Sequence, residues 1–240
     1  MGVLSNKTRI LYGFYDMSGD TYEWEVAQTV GELEKTVLSS TAMEYIPNIV
    51  EGNLTFSGYL KVASASTVES RLNNLLNTET ENVAVLLDYQ TFPSASIVFP
   101  SAFNNTVNFG ASVGELLTFN GGIRSRGVIT RGNTICYSRT ASTVGAIPSV
   151  QVPSIAASNT GNIFFFLHNL TGAFSSSAVV AIQSSPDNTT FTTNATFTTN
   201  AQQSMVAVTS PAYTGSYIRA NVTDLGGATS IIYSVIVSKN

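Results

Sequence analysis

The 240-residue sequence predicts a mostly β protein: a β-sandwich or barrel domain with one short helix, followed by a second, immunoglobulin-like β-sandwich. Three observations carry that prediction. Apolar and polar residues alternate with period two in the first third, one helical stripe interrupts the pattern, and the last hundred residues hold apolar segments separated by turn clusters at even spacing. Residues 22–30 (YEWEVAQTV) set Tyr22, Trp24 and Val26 against Glu23, Glu25 and Ala27, the mark of a strand with one apolar and one acidic face. Residues 31–48 run without a stable period between Gly31 and the Pro47-Asn48 turn. They are too long for a tight hairpin and are expected to form a projecting loop or arm. Residues 49–60 resume the alternation, with Leu54 and Phe56 on one face and Thr55 and Ser57 on the other.

A helix is expected over 66–77. Ser66 and Glu69 form the two halves of a capping box, and Val68, Leu72, Leu75 and Leu76 follow on one face, a stripe that has to lie against a sheet. Strands are then expected at 83–89, 95–99, 106–111 and 115–123, the last ending at Gly121-Gly122. The stretch 141–161 is rich in small residues and proline and poor in charge, and its first part, 141–152, reads as a linker between a 1–140 domain and a 153–240 domain. Within the latter, strands are expected at 162–169, 177–184, 190–198, 203–209, 215–223 and 229–237, with turns at Asp187-Asn188 and Gly226-Gly227. The duplicated tract from Phe191 to Asn200 has a period too short for a solenoid and reads as a strand pair or strand edge.

Composition narrows the chemistry. Charged residues make up 11% of the chain and hydrophobic ones 43%, which excludes a disordered polyelectrolyte. A single cysteine excludes an intramolecular disulfide framework and a multi-cysteine zinc site. The longest apolar runs are about five residues, far short of the roughly 20 a spanning helix needs, and the first twenty residues lack the uninterrupted apolar core of a secretory signal. Neither a membrane anchor nor a cofactor is expected. The net charge of −4 is unevenly distributed: residues 1–123 hold 13 Asp or Glu and 5 Lys or Arg, while residues 124–240 hold 2 and 6. The acidic part is a poor phosphate binder, and Arg124, Arg126, Arg131 and Arg139 are too dispersed to form a binding stripe.

Candidate reactive groups read as structural. His168, at the end of IFFFLH, has no acid near it in sequence and is expected to be a hydrogen-bonded strand-end residue. Cys136 among β-formers reads as a small core residue. Glu23 and Glu25 share a face and have the form of a carboxylate pair for glycoside cleavage, but two charges on a solvated face explain them better. Gly110 to Gly114 lacks the lysine of a phosphate loop, and Asp187 lacks the companion carboxylates of a calcium loop. A chain with strands in this number and no reactive constellation works by assembly, its open strand edges closed by neighbouring subunits.

The order of these segments resembles a known family. Val26 to Leu60, with Leu33-Glu34-Lys35-Thr36 opening the arm, Tyr45-Ile46-Pro47 returning from it and Gly52-Asn53-Leu54-Thr55-Phe56-Ser57-Gly58 after it, is similar to the N-terminal half of the tail tube proteins of long-tailed, siphovirus-like bacteriophages. The helix at 66–77 and the segment Ala102 to Gly127 follow where that family places its helix and closing strands. Phe166-Leu167-His168, Val180 to Asp187 and Tyr217-Ile218-Arg219-Ala220 resemble the β-sandwich that some members carry outside the tube. The resemblance implies a structural subunit of the virion tail, assembled in the host cytoplasm and not an enzyme. Its partners would be copies of itself, in six-membered rings stacked into a tube, and other tail proteins at the tube ends, with DNA passing through without binding. Glu23 and Glu25 become candidates for lining the lumen, and Leu33, Val37, Leu38, Met43, Tyr45 and Ile46, more apolar than an exposed loop should be, for the ring-to-ring contact. The alternative is a carbohydrate-binding or adhesin module using Phe191, Phe197, Tyr213 or Tyr217; packing of those aromatics between sheets is the preferred reading.

Overall fold

The structure, a computed structural model, describes residues 7–34, 45–59, 72, 81–112, 115–125, 128–173, 175–199, 206–209 and 211–239. For 31–34, 45–50 and 206–208 it describes the backbone alone. The fold is mostly β, as predicted. In chain order the strands are β1 (Arg9–Tyr12), β2 (Tyr15–Asp16), β3 (Thr21–Glu34), β4 (Tyr45–Tyr59), β5 (Glu81–Leu86), β6 (Ser94–Gly110), β7 (Thr118–Ser125) and β8 (Thr130–Ala141). The rest are β9 (Gly145–Ala146), β10 (Val150–Gln151), β11 (Ile163–Thr171), β12 (Ala178–Ser185), β13 (Thr192–Thr199), β14 (Val206–Thr209), β15 (Tyr217–Asp224) and β16 (Ser230–Ser238). Of the expected helix only Leu72 is described, helical and buried; the rest of 66–77 lies outside the described residues.

The chain divides into two compact units: Met1–Asp16, Ala84–Val98 and Arg131–Asn240 form the first, and Met17–Val83 with Phe99–Thr130 the second. These boundaries differ from the expected 1–140 and 153–240. The reason is antiparallel pairing between strands far apart in sequence, which joins the earliest strands to the unit built from the last hundred residues.

In the first unit one sheet has the order β14-β11-β16-β8-β6-β5-β1-β2, and a second has β10-β15-β12-β13 with β9 on β15. The IFFFL run of β11 shows no alternation because both of its faces are buried. Phe165 and Leu167 pack with Val180, Ile182, Ile218 and Val222 of the second sheet. Phe164 and Phe166 pack on the other side with Leu11, Leu86, Val98 and Ile236. Residues 141–152 are not a linker: β9 and β10 pair with β15, and Ile147 and Val150 lie against the core cluster that holds buried Val152 and Ile155. Their apolar side chains, spaced between prolines, are what fix this segment to the sandwich. The tract from Phe191 is one edge strand, β13, paired with β12 alone among the described residues.

The second unit is organised on the strand run β3-β4-β7-β6. One face is its core: Trp24 stands opposite Phe56, and Val26 opposite Leu54, which neighbours Ile123. Leu54, Phe56, Phe119 and Ile123 are buried. Phe56 and Phe119 meet edge to face at 6.1 Å. Gly121 lies under the Phe56 ring, where a Cβ would come within 2.3 Å of it, so glycine is required for that ring to lie flat on the sheet.

Candidate functional site

The other face of β3-β4-β7-β6 is mostly polar. Successive cross-strand rows read Glu23, Ser57, Asn120, Asn108; then Glu25, Thr55, Gly122, Thr106; then Ala27, Asn53, Arg124, Phe103. Glu23, Glu25, Thr55, Thr106, Asn108, Asn120 and Arg124 are exposed, as is Glu51 further along β4. Hydroxyls and amides therefore surround carboxylates on the solvent side of the strands whose reverse side builds the core, the division that the alternation at 22–30 predicts. Arg124 is the one base on this face among the described residues. A shallow cleft of about 320 Å³ opens over Gly122, with Glu25, Asn53, Thr55, Thr106 and Arg124 in its wall. A side chain at Gly122 would fill it, since a Cβ there falls 2.5 Å from Asn105 Oδ1 and 2.6 Å from Thr106 Oγ1.

Toward its far end the hairpin loses its core. On β3, Ala27, Gln28, Thr29 and Val30 are all exposed, so both faces of the strand are bare, and Val30 shows 51% of its surface. Pairing nevertheless continues past a bulge after Val30, through Glu32 opposite Pro47, Leu33 opposite Ile46 and Glu34 opposite Tyr45. The expectation of a loop over 31–48 is thereby corrected: 31–34 and 45–48 are strand. Period two is absent from their sequence, so the pairing of their backbones leaves no mark in the residue pattern. Of the six arm residues, Leu33, Tyr45 and Ile46 stand on this ladder; Val37, Leu38 and Met43 lie outside the described residues.

The titratable groups of the first unit form a structural network. A register shift in β11 between Leu167 and Asn169 turns His168 toward β16, so the residue is inside a strand rather than at its end. Its Nδ1 donates to the Phe14 carbonyl at 2.9 Å, since a carbonyl only accepts, and Nε2 accepts from Ser234 Oγ at 2.7 Å. Ser234 Oγ in turn accepts from the Ser138 N–H at 2.8 Å. Burial holds the His168 pKa below its ordinary value, opposed by the Phe14 hydrogen bond and by Asp16. The Tyr137 hydroxyl donates to Asp16 Oδ2, and burial followed by this bond and the carboxylate charge pushes the phenol up. The serine beside the histidine has the outline of a nucleophile and its base, but Ser234 is fully buried, and the orienting partner on Nδ1 is a carbonyl, not a carboxylate.

Cys136 is buried with its thiol pushed up to about 12 by desolvation, an unreactive core position. Asp187 caps its own turn, accepting from Thr189 N, Thr190 N and Ser185 Oγ, and these bonds hold its carboxyl below the usual range. Of the four aromatics considered for sugar binding, Phe197 and Tyr213 are buried. Phe197 stacks on Phe165 at 4.8 Å. Phe191 and Tyr217 are half-buried, the former under the Arg219 guanidinium at 3.7 Å.

No protein-family model matches the sequence, and no curated protein matches it. Solved structures do share similarity. A chain from the cryo-EM structure of the anti-feeding prophage cap, a tube-terminating cap, aligns with a TM-score of 0.44 at 10% identity, over 55% of this chain and 92% of that one. A chain from the sheath-tube complex of an extracellular contractile injection system aligns with a TM-score of 0.41 at 11% identity, over 54% of this chain and 90% of the other. A chain from the virion of a native gene transfer agent particle gives 0.37 at 12% identity, over 47% and 84%. These likenesses extend over about half of the chain and transfer no residue's role to it.

Proposed function

We propose that this protein is the structural subunit of a phage tail tube of the long-tailed type. Six copies form a ring, rings stack into a conduit for DNA, and the completed tube meets other tail proteins at its ends. It is assembled in the host cytoplasm and resides in the virion tail. The observation that carries the reading is the β3–β4 hairpin. It is 14 and 15 residues a side, and its first strand, β3, is exposed at every residue from Ala27 to Val30, more bare paired backbone than a solitary subunit has use for.

Two further features support it. Among the described residues β3 pairs with β4 alone, and β6 stands at the other side of the same strand run. The open edge of β3 is a template on which a neighbouring copy's sheet continues, and a head-to-tail contact of that kind whose rotation closes makes a ring. The outward face that such a ring turns to its hole carries Glu23, Glu25 and Glu51 against a single base, Arg124, among hydroxyls and amides, a net-acidic lining that a polyanion passes without adhering. In this reading the 153–240 segment serves as a decoration domain.

Concentrated purified protein should give rings or tubes under negative stain. Deleting residues 33–45 should leave a folded subunit that no longer stacks. A monodisperse wild-type subunit at every concentration defeats the tube reading; tubes persisting in the deletion defeat the role given to the arm.

A further inference from the structure

The hairpin ladder has two ends. One opens into the segment 35–44, between Glu34 and Tyr45; the other closes at Thr21 opposite Gly58, thirteen residues back along β3. At about 3.3 Å per residue the two ends stand about 40 Å apart along the strands. The closed end carries a group of large apolar side chains open to solvent. Tyr22 is 54% exposed and Tyr59 47%, with their rings 4.9 Å apart. Tyr59 is opposite Thr118, which is opposite Gly110, so the β6–β7 turn lies at this same end. That turn adds Leu116, 68% exposed, and beside it Phe109 is 39% exposed at the end of β6. These four account for most of the exposed large apolar side chains of the unit among the described residues; the tyrosine pair stands on the polar side of the sheet, whereas Phe109, opposite Phe119, stands on the reverse side.

The patch is firmly placed. The Tyr59 N–H donates to the Asp20 carbonyl at 2.8 Å, and Thr118 Oγ1 donates to the Gly110 carbonyl at 3.0 Å. Tyr22 and Tyr59 lie on each other and away from the core, whose edge on this side is closed by Gly58 against the Phe119 ring. Paired, exposed aromatics with one polar tip each are the composition of a contact surface.

We infer that this end is the receptor for the 33–46 arm of a second copy of the chain. The inference rests on the tube reading. Copies related by a shift along the tube axis meet through opposite ends, so an arm leaving one end of the ladder must land on the other end of the next copy. The arm sequence is apolar at Leu33, Val37, Leu38, Met43, Tyr45 and Ile46, and the surface with matching character at the required end is the Tyr22–Tyr59 pair with Leu116 of the adjoining turn. The contact is heterologous and repeats without closing, which gives stacking of unlimited length.

The test uses the full chain. Tyr22→Ser combined with Tyr59→Ser, and separately Leu116→Glu, should keep the wild-type circular dichroism spectrum and thermal midpoint and form rings, while tube length under negative stain falls from many rings to one. Wild-type-length tubes from both variants overturn the inference. A wild type that never forms tubes overturns instead the reading on which it rests. Should the tyrosine variant misfold, Leu116→Glu decides alone. A mixing experiment checks the pairing of surfaces. A chain lacking residues 35–44 keeps the receptor but has lost the arm, and the tyrosine variant the reverse, so mixed rings should join in pairs and stop at two. Mixtures that stay single, while wild-type tubes form, assign the patch to another partner and overturn the inference.

Discussion

Acidification tests the His168 network more cleanly than any truncation, because His168 is the only histidine in the chain and so the only side chain with an ordinary pKa between about pH 5 and 8. In the folded protein it is held neutral by burial, with Nδ1–H on the Phe14 carbonyl and Nε2 accepting from Ser234. In the unfolded chain it takes up a proton as pH falls below about 6.5. The unfolded state then binds more protons than the folded one, so stability is complete above that pH and declines below it until the depressed folded pKa is reached. The slope is bounded by about 1.4 kcal/mol per pH unit, so pH 5.5 costs at most about 1.4 kcal/mol relative to neutral pH. For a chain of this size that is about 3–6 °C in thermal midpoint. The assay is urea denaturation followed by circular dichroism from pH 7.5 to 5.5; Trp24 fluorescence would report on the other unit. His168→Asn supplies an N–H in place of Nδ1–H and cannot titrate, so its profile should be flat over this range and lower throughout. A flat wild-type profile, or a sloping one that survives the substitution, would refute both the tautomer and the network.

Three other outcomes are expected. Glu23→Lys with Glu25→Lys should make the polar sheet face retain short duplex DNA, measured by fluorescence anisotropy, with a log–log salt slope near −2 for about two phosphates per subunit; no binding at low salt would contradict the exposure of that face. Phe197→Ala removes a 5%-exposed ring stacked on Phe165 and should cost about 3–5 kcal/mol in urea titration, whereas a change under about 1 kcal/mol would return Phe197 to the surface. A fragment of residues 153–240 should give a poorly dispersed amide NMR spectrum, because β8 beside β16 and β9 and β10 beside β15 lie outside it; a well-dispersed spectrum would restore the contiguous boundary.

What is legible in the sequence follows from which faces are covered. The β3 alternation reports Trp24 and Val26 over a core and Glu23 and Glu25 over solvent, so the residue pattern by itself outlines the candidate face. Residues 31–34 and 45–48 carry no such report: their backbones pair, but their sequence has no period of two. The segments 95–99 and 106–111 read as two strands and are one, β6. A left-handed Ser101 (φ 49°) and a register shift between Asn104 and Thr106 interrupt its pattern without ending it. Strand β8 gives no clear period because Arg131 and Arg139 flank its buried Thr134-Ile135-Cys136. The two-residue strands β9 and β10 are shorter than any periodic signal, and their prolines and small residues read as a linker. The exposed Tyr22–Tyr59 pair is hidden for another reason: Tyr22 fits the apolar set of its strand, and only the register shift after Thr21 takes it off the core.

The position of β16 has a consequence for how the chain comes into being. This strand, Ser230–Ser238, is hydrogen-bonded on one side to β11 and on the other to β8, both made before it, so the middle of that sheet stays open until β16 itself has left the ribosome. A nascent subunit therefore waits with a gap flanked by two exposed edges, folds slowly because the closing contacts are distant in sequence, and is most vulnerable to capture by a neighbour's edge during that interval. Chains that stop before β16 would be left with that gap, its two edges open to pairing with another chain.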